Sequence, residues 1–216
     1  MTIKDAYTDW SATYDQDRNL TRDLDEMVTR EALANLNCND ILEIGCGTGK
    51  NTALLARIGQ RVSAIDFSAG MIDKAREKIS LGNVTFGVAD ITQPWPCKDQ
   101  SVDLVVCNLV LEHISDLAFI FGEAFRVLRD GGCFFVSELH PFRQYQGTQA
   151  RFQRHHETTL IPAFVHHISD FINTGAANNL TLAVMKECWH QDDENKPPRL
   201  VSFLFRKQSR AGRRVV

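Results

Sequence analysis

Glu43-Ile44-Gly45-Cys46-Gly47-Thr48-Gly49 stands between a β-rich run, Asp40 to Ile44, and an amphipathic stretch, Gly49 to Ile58, whose Leu54, Leu55 and Ile58 share one face. The spacing predicts a strand that ends in a glycine loop and feeds a helix, which stops at Gly59. Glycines at such a junction let the backbone turn tightly and let a ligand approach the main chain with no Cβ in the way. The helix N-terminus beyond offers free N–H groups to an anionic group such as a carboxylate. Dinucleotide-binding loops place their third glycine five positions after the first. Here it comes at four, and Lys50 takes the fifth position. Glu43, two residues before the first glycine, is also foreign to that pattern. It can instead hold the loop amides or help receive a cationic ligand.

Outward from this loop the chain alternates strand-like and helix-like segments, the pattern of an α/β fold with a mostly parallel sheet. Arg61 to Asp66 reads as a second strand, and Ser68 as the N-cap of a helix from Ala69 to Ile79. Val84 to Val88 reads as a third strand and Val102 to Cys107 as a fourth. Asp116 is placed to cap a helix through Leu128 with Leu117, Ile120, Phe121, Ala124, Phe125 and Leu128 inward. Gly131-Gly132 is expected to close that helix, a left-handed C′ position suiting glycine. Cys133 to Ser137 reads as strand five. Residues 140–163 then lack clean periodicity. A helix from Phe164 to Ala177 precedes two strand-like runs, Leu180 to Trp189 and Leu200 to Arg206, expected to pair as an antiparallel hairpin. Upstream, Thr21 to Leu36 reads as an acidic helix.

Three features fall at meaningful distances from the loop. Asp66 ends strand two, 21 residues after Gly45, where a carboxylate accepts from both hydroxyls of a ribose and repels a 2′-phosphate. Asp90 follows strand three, placed to accept from an exocyclic adenine amine. Phe67 and Ile91 flank those acids and suit the two faces of a flat base. Together they outline an adenosine-shaped cleft at the carboxyl ends of successive strands.

The E-x-G-x-G-x-G loop, the acid closing strand two, the acid after strand three and Val127-Leu-Arg-Asp-Gly-Gly before strand five resemble class I S-adenosylmethionine-dependent methyltransferases. The likeness covers about residues 40–140. Tyr7-x-x-Trp10-Ser-x-x-Tyr14-Asp15 resembles the aromatic lid segment of the UbiE-like, small-molecule branch, the type 11/25 kind. The resemblance implies a Rossmann-like seven-stranded sheet of order 3-2-1-4-5-7-6, strand 7 antiparallel, flanked by helices. It implies S-adenosyl-L-methionine as cofactor. Glu43, Gly45, Cys46, Gly47, Thr48 and Gly49 would surround its methionine end, Asp66 its ribose, and Phe67, Met71, Asp90 and Ile91 its adenine side. Asn108 and Leu109 would line the floor beside the methyl group, with Tyr14 reaching over from the lid. One domain is expected throughout: a lid and helix over 1–38, a cofactor-binding half over 39–139, and an acceptor-side segment with the hairpin over 140–216.

The acceptor is expected to be a small molecule. No N-P-P-Y-type motif follows strand four, where Asn108-Leu-Val-Leu stands instead, and Pro96-Cys97 lies at the wrong end of the sheet for a cytosine-methylating nucleophile. No basic stripe with interleaved aromatics suggests nucleic acid, and the basic tail of Arg206, Lys207, Arg210, Arg213 and Arg214 reads as a solvated end. A protonated acceptor needs a base, and His113, after strand four, and His140, after strand five, fall on the ligand side. Adjacent histidines at 155–156 and 166–167 point apart, so no metal site is expected. An NAD-dependent oxidoreductase would share the fold but needs a Tyr-x-x-x-Lys pair that is absent; a non-catalytic binder would keep the loop and Asp66.

The 216 residues carry a net charge of −3, which divides unevenly: 13 Lys/Arg against 21 Asp/Glu over 1–139, then 11 against 6, with six of the seven histidines. That asymmetry reads as two solvated faces of one domain, or, more sharply, as a later part that faces an anionic or polar substrate. Six scattered cysteines without a CxxC pair read as reduced thiols of a cytoplasmic chain. The charged opening, Met1 to Asp5, reads as no secretory leader, and no apolar run is long enough to span a bilayer.

Overall fold

The structure is a computed structural model that describes residues 3–16, 18–154 and 157–208. In chain order the elements are α1 (Ile3–Trp10), α2 (Leu20–Leu33), β1 (Cys38–Ile44), α3 (Thr52–Ile58), β2 (Gly59–Asp66), α4 (Ala69–Lys78), β3 (Val84–Val88), β4 (Val102–Asn108), a 3-10 turn (Leu111–His113), α5 (Leu117–Val127), β5 (Leu128–Leu139), α6 (Pro141–Tyr145), β6 (Arg151–Arg154), β7 (Glu157–Leu160), α7 (Ile168–Ala177), β8 (Leu180–Cys188) and β9 (Leu200–Lys207). Seven strands form one sheet of order β3-β2-β1-β4-β5-β9-β8, with β9 antiparallel to β5 and to β8. Counted along that sheet alone, this is 3-2-1-4-5-7-6 with strand seven reversed, as the motifs implied. The expected hairpin is β8–β9.

The sheet is apolar on both faces because helices cover both. Leu42, Ile44, Val105, Cys107, Phe134, Val136 and Phe203 pack under α5 and α7. The alternate residues Ile41, Leu104, Val106, Cys133 and Phe135 pack under α2 and α3. Phe121 of α5 meets Phe134 and Phe205 edge-on at centroid distances of 5.2 and 5.3 Å, a geometry that adds to simple burial. Ser68 and Asp116 cap α4 and α5 as read from sequence: Ser68 Oγ accepts from the Met71 N–H, and Asp116 from Ala118 and Phe119.

Three readings change. α3 starts at Thr52, three residues late, because Gly45, Gly47 and Gly49 all hold positive φ and keep the chain in the loop. Gly131-Gly132 does not end α5. That helix stops at Val127, and Leu128 is already extended; the glycines sit inside β5, where pairing with β4 slips between Val102 and Leu104. A Cβ on Gly132 would lie 2.9 Å from the Arg129 carbonyl oxygen, so the slip requires glycine there. Residues 140–163 contain α6 and a two-stranded ribbon, β6–β7, that stands apart from the main sheet. The histidine pair 155–156 and the tail residues Arg210, Arg213 and Arg214 lie outside the described residues. Among the described residues no helix is long and apolar enough to cross a membrane, and no cluster of side chains suits a metal ion.

Candidate active site

A cleft of about 510 Å³ opens at the carboxyl ends of β1, β2, β3 and β4, where ligands of open α/β sheets bind. Its wall begins with the glycine loop. Gly45 and Cys46 donate to the Ile65 carbonyl at 2.8 and 3.0 Å, which turns the chain out of β1. Gly45, at φ +70°, leaves no room for a side chain: a Cβ would come within 2.2 Å of Val110 Cγ2. Gly47 differs. At φ +53° a Cβ there would meet no described atom within 4 Å, so the bare backbone faces open space. Gly49 turns the chain behind the loop, against Ile79, and is absent from the cleft lining.

Asp66 lies beneath the loop, buried, with Oδ2 accepting from the Gly47 N–H at 2.9 Å and Oδ1 from the Ser68 N–H at 2.8 Å. Glu43 therefore does not hold the loop amides. It is buried against α3 and accepts from Thr52 Oγ1 at 2.5 Å. Cys46, Thr48, Phe67, Met71, Asp90, Ile91, Asn108 and Leu109 all line the same cleft, as does Tyr14. Asp90 is exposed and folds its Oδ1 back on the Thr92 N–H and hydroxyl.

The N-terminal segment closes one side. Asp15 accepts from Thr48 Oγ1 and from Lys78 Nζ, each at 2.7 Å, and so ties the turn after α1 to the glycine loop and α4. The Arg22 guanidinium lies 4.1 Å from the Tyr14 ring centroid and donates to its carbonyl oxygen. The acid that holds Asn108 was not legible from sequence. Asp25 of α2, buried, accepts from Asn51 and Asn108 at 2.8 Å each, while Asn108 also donates to Thr29. Nothing local separates Asp25 from its neighbours Asp23 and Glu26; only the fold buries it.

The two histidines part company. His113 lines the cleft with Nδ1 2.9 Å from the Pro162 carbonyl, which can only accept; Nδ1 therefore carries the proton, and Nε2 accepts from the Tyr7 hydroxyl at 2.8 Å. Burial keeps the ring neutral by lowering its pKa. His140 is not on the cleft. Its Nδ1 accepts from the Phe142 N–H and caps α6, and its Nε2 faces Glu187 Oε1 at 2.9 Å. The expectation that it serves as a base is corrected: the carboxyl end of β5 is covered by α6, and both its nitrogens are engaged there.

Burial also holds protons on three glutamates: Glu43 and Glu138 are pushed up to about 8 and Glu112 to about 7, against an ordinary 4.5. Glu138 Oε1 accepts from the N–H groups of Val110 and Leu111 and so fixes the turn that carries Glu112 and His113. The native chain keeps these protons while the unfolded chain loses them near 4.5. Their contribution to stability is therefore complete below that value and is lost as pH rises towards about 8. Thermal melts of the ligand-free protein should show a midpoint several degrees lower near the top of this window than near its foot. A midpoint that rises across it would contradict protonated glutamates.

A strand–loop–helix turn over a cleft at the carboxyl ends of a sheet of this order defines a class: Rossmann-like proteins that hold a ligand at that edge. Residues 42–136 match the methyltransferase domain family, which makes that part of the chain similar to class I S-adenosylmethionine-dependent methyltransferases of the type 11 kind. The chain is 39% identical over 99 residues to a malonyl-[acyl-carrier protein] O-methyltransferase of Yersinia pestis, covering 46% of this chain and 36% of that one. It is 30% identical over 156 residues to a demethylmenaquinone methyltransferase of Tropheryma whipplei (strain Twist), covering 72% and 62%. The chain thus spans only part of the length of these curated relatives. An S-adenosylmethionine-dependent methyltransferase from Mesorhizobium loti shares the fold, with a TM-score of 0.70 and 19% identity over 84% of this chain and 96% of that one.

Proposed function

We propose that this chain is an S-adenosylmethionine-dependent methyltransferase of a small-molecule acceptor in the cytoplasm. The observation that carries the reading is Gly47: a left-handed backbone, gripped from below by Asp66, that faces empty cleft where any side chain would intrude. The residues present fit the cofactor. Asp66 offers a carboxylate for the ribose, Phe67, Met71 and Ile91 an apolar slot for the base, and Asp25, Glu43, Asn51 and Asn108 an acceptor-rich end for its cationic part. When bound, the cofactor supplies a methyl group on a sulfonium. The protein's part is to align donor and acceptor for in-line displacement, and such positioning accounts for much of the acceleration. α1 and the turn after it act as a cover, with Ile3, Tyr7 and Tyr14 on the cleft. Six free cysteines agree with a reducing compartment.

Calorimetric titration tests this reading. S-adenosylmethionine and S-adenosylhomocysteine should bind, and NAD should not. Asp66→Ala removes an acceptor from the ribose position and frees the Gly47 amide. Hydrogen bonds to a charged group are worth roughly 1.5–3 kcal/mol each, so affinity should fall at least about tenfold with the fold kept. Unchanged affinity would remove Asp66 from the binding site, and tighter binding of NAD would overturn the cofactor.

A further inference from the structure

A second cavity, of about 480 Å³, lies beside the cleft and shares Tyr7, Tyr14, Arg22 and Leu109 with its wall. Glu112, which is buried, lines it, and so do Trp10 and Arg199. We propose that this cavity, resting on the methyltransferase reading above, holds the acceptor, and that Glu112 takes the proton from an acceptor that arrives neutral, as a hydroxyl or N–H, rather than as a carboxylate.

Geometry assigns the role to Glu112 and not to His113. The Nε2 lone pair of His113 is already filled by the Tyr7 hydroxyl, and its Nδ1 proton by Pro162. Glu112 is held more loosely. Its Oε2 has Gln144 Nε2 at 3.5 Å, at the outer limit of a hydrogen bond, and His113 Nε2 stands 3.8 Å from Oε1. The cavity's cations are turned elsewhere: Arg199 grips Asp193 with two nitrogens, Arg18 faces Asp192, and Arg22 lies over Tyr14. Glu112, which lines the cavity, therefore has no guanidinium fixed on its carboxyl in the described contacts, and burial places its titration near neutrality, where a proton acceptor works best. Atoms balance simply. The acceptor oxygen or nitrogen forms a bond to the methyl carbon, the carbon–sulfur bond breaks with its electron pair left on sulfur, and the acceptor's proton passes to the Glu112 carboxylate. A carboxylate acceptor has no proton to give and would meet a like charge.

The test uses phenol and benzoate, similar in size and different in charge, titrated into the full chain saturated with S-adenosylhomocysteine. Saturation is measured first: if S-adenosylhomocysteine does not bind, the methyltransferase reading fails and this proposal falls with it, before any probe is added. Well above the Glu112 midpoint of about 7, phenol should bind at least about tenfold tighter than benzoate. Glu112→Gln should weaken phenol and strengthen benzoate, each by about tenfold, because it removes one charge and one acceptor. A merely structural Glu112 would move both probes the same way, which would overturn the proposal. So would tighter benzoate binding to the unaltered chain, or failure of both probes to bind. The unaltered chain gives an independent readout if the variant does not fold: benzoate should gain affinity and phenol lose it as pH falls through about 7. The titratable groups facing Glu112 are His113 on its own turn, Tyr7 from α1 and Glu138 from β5, while Arg18, Arg22 and Arg199 line the same cavity with their guanidiniums engaged elsewhere. His113 and Tyr7 stay neutral through this range, the one lowered and the other raised by burial. Equal response of the two probes to pH would again defeat the assignment.

Discussion

Gly47→Val should lower affinity for S-adenosylhomocysteine by roughly a hundredfold or more, equivalent to about 3 kcal/mol, while the protein still folds. Two terms act at this position. A β-branched residue at φ +53° carries a backbone cost of roughly 1–3 kcal/mol. Its side chain would also project into the open part of the cleft, since a Cβ there meets no described atom within 4 Å. The first term lowers stability moderately; the second falls almost wholly on the ligand. Gly45→Val gives the contrast. There a Cβ would strike Val110 Cγ2 at 2.2 Å, inside the protein, so that variant should fail by misfolding. Paired thermal melts and calorimetric titrations of the two variants separate the cases. Normal binding by Gly47→Val would mean that the loop only turns the chain, and the cofactor reading would lose its main support.

What the sequence made legible is what local chemistry determines. Strands β1 to β4 show as short β-rich runs, the fourth nearly all apolar, and Ser68 and Asp116 as caps whose partners lie two or three residues away. The glycine loop, Asp66, Phe67, Met71 and Ile91 could be placed on one cleft because strand ends in a parallel sheet converge. The misses share one cause, contact between distant segments. The burial of Glu112, proposed above to take the proton, was not legible beside His113, because a histidine advertises titration near neutrality while a glutamate acquires it only from burial. Asp25 and Glu138 are single acids in acid-rich stretches, distinguished only by where α2 and β5 carry them. Gly131-Gly132 looked like a helix cap because glycine pairs also follow helices; here the pairing of β4 with β5 decided the matter. His140 sits at a strand end as expected, but α6 folds over it, and nothing in the aperiodic residues 140–163 announced that helix.

Asp193→Ala should destabilise the protein by about 3–5 kcal/mol, the usual cost of removing one partner from a buried ion pair. Asp193 is buried at 2% exposure in the loop between β8 and β9. It accepts from Arg199 Nε and Nη2 at 2.7 and 2.5 Å, and Arg143 Nη2 of α6 stands 3.0 Å from the same carboxylate. The His190 N–H completes the set at 3.1 Å. Without the carboxylate, two largely buried guanidiniums face each other uncompensated. For a chain of this size each kcal/mol moves the melting midpoint by roughly 2–4 °C, so a drop of about 6–20 °C is expected. The pH dependence follows from the same contacts. They hold the Asp193 carboxyl well below its ordinary 3.8, so the stabilisation is present above that value and is lost as pH falls beneath it; the variant should therefore lose less stability in acid than the unaltered chain. The network also borders the second cavity. Arg199 lines the second cavity, and Arg143 donates to the Pro197 and Pro198 carbonyls, joining α6 to the β8–β9 loop. Measured below its melting range, Asp193→Ala should keep affinity for S-adenosylhomocysteine, whose cleft is built from other elements, and lose phenol binding. A midpoint within about 2 °C of the unaltered protein, at most about one kcal/mol, would show that solvent reaches this site and that the wall of the second cavity stands without it.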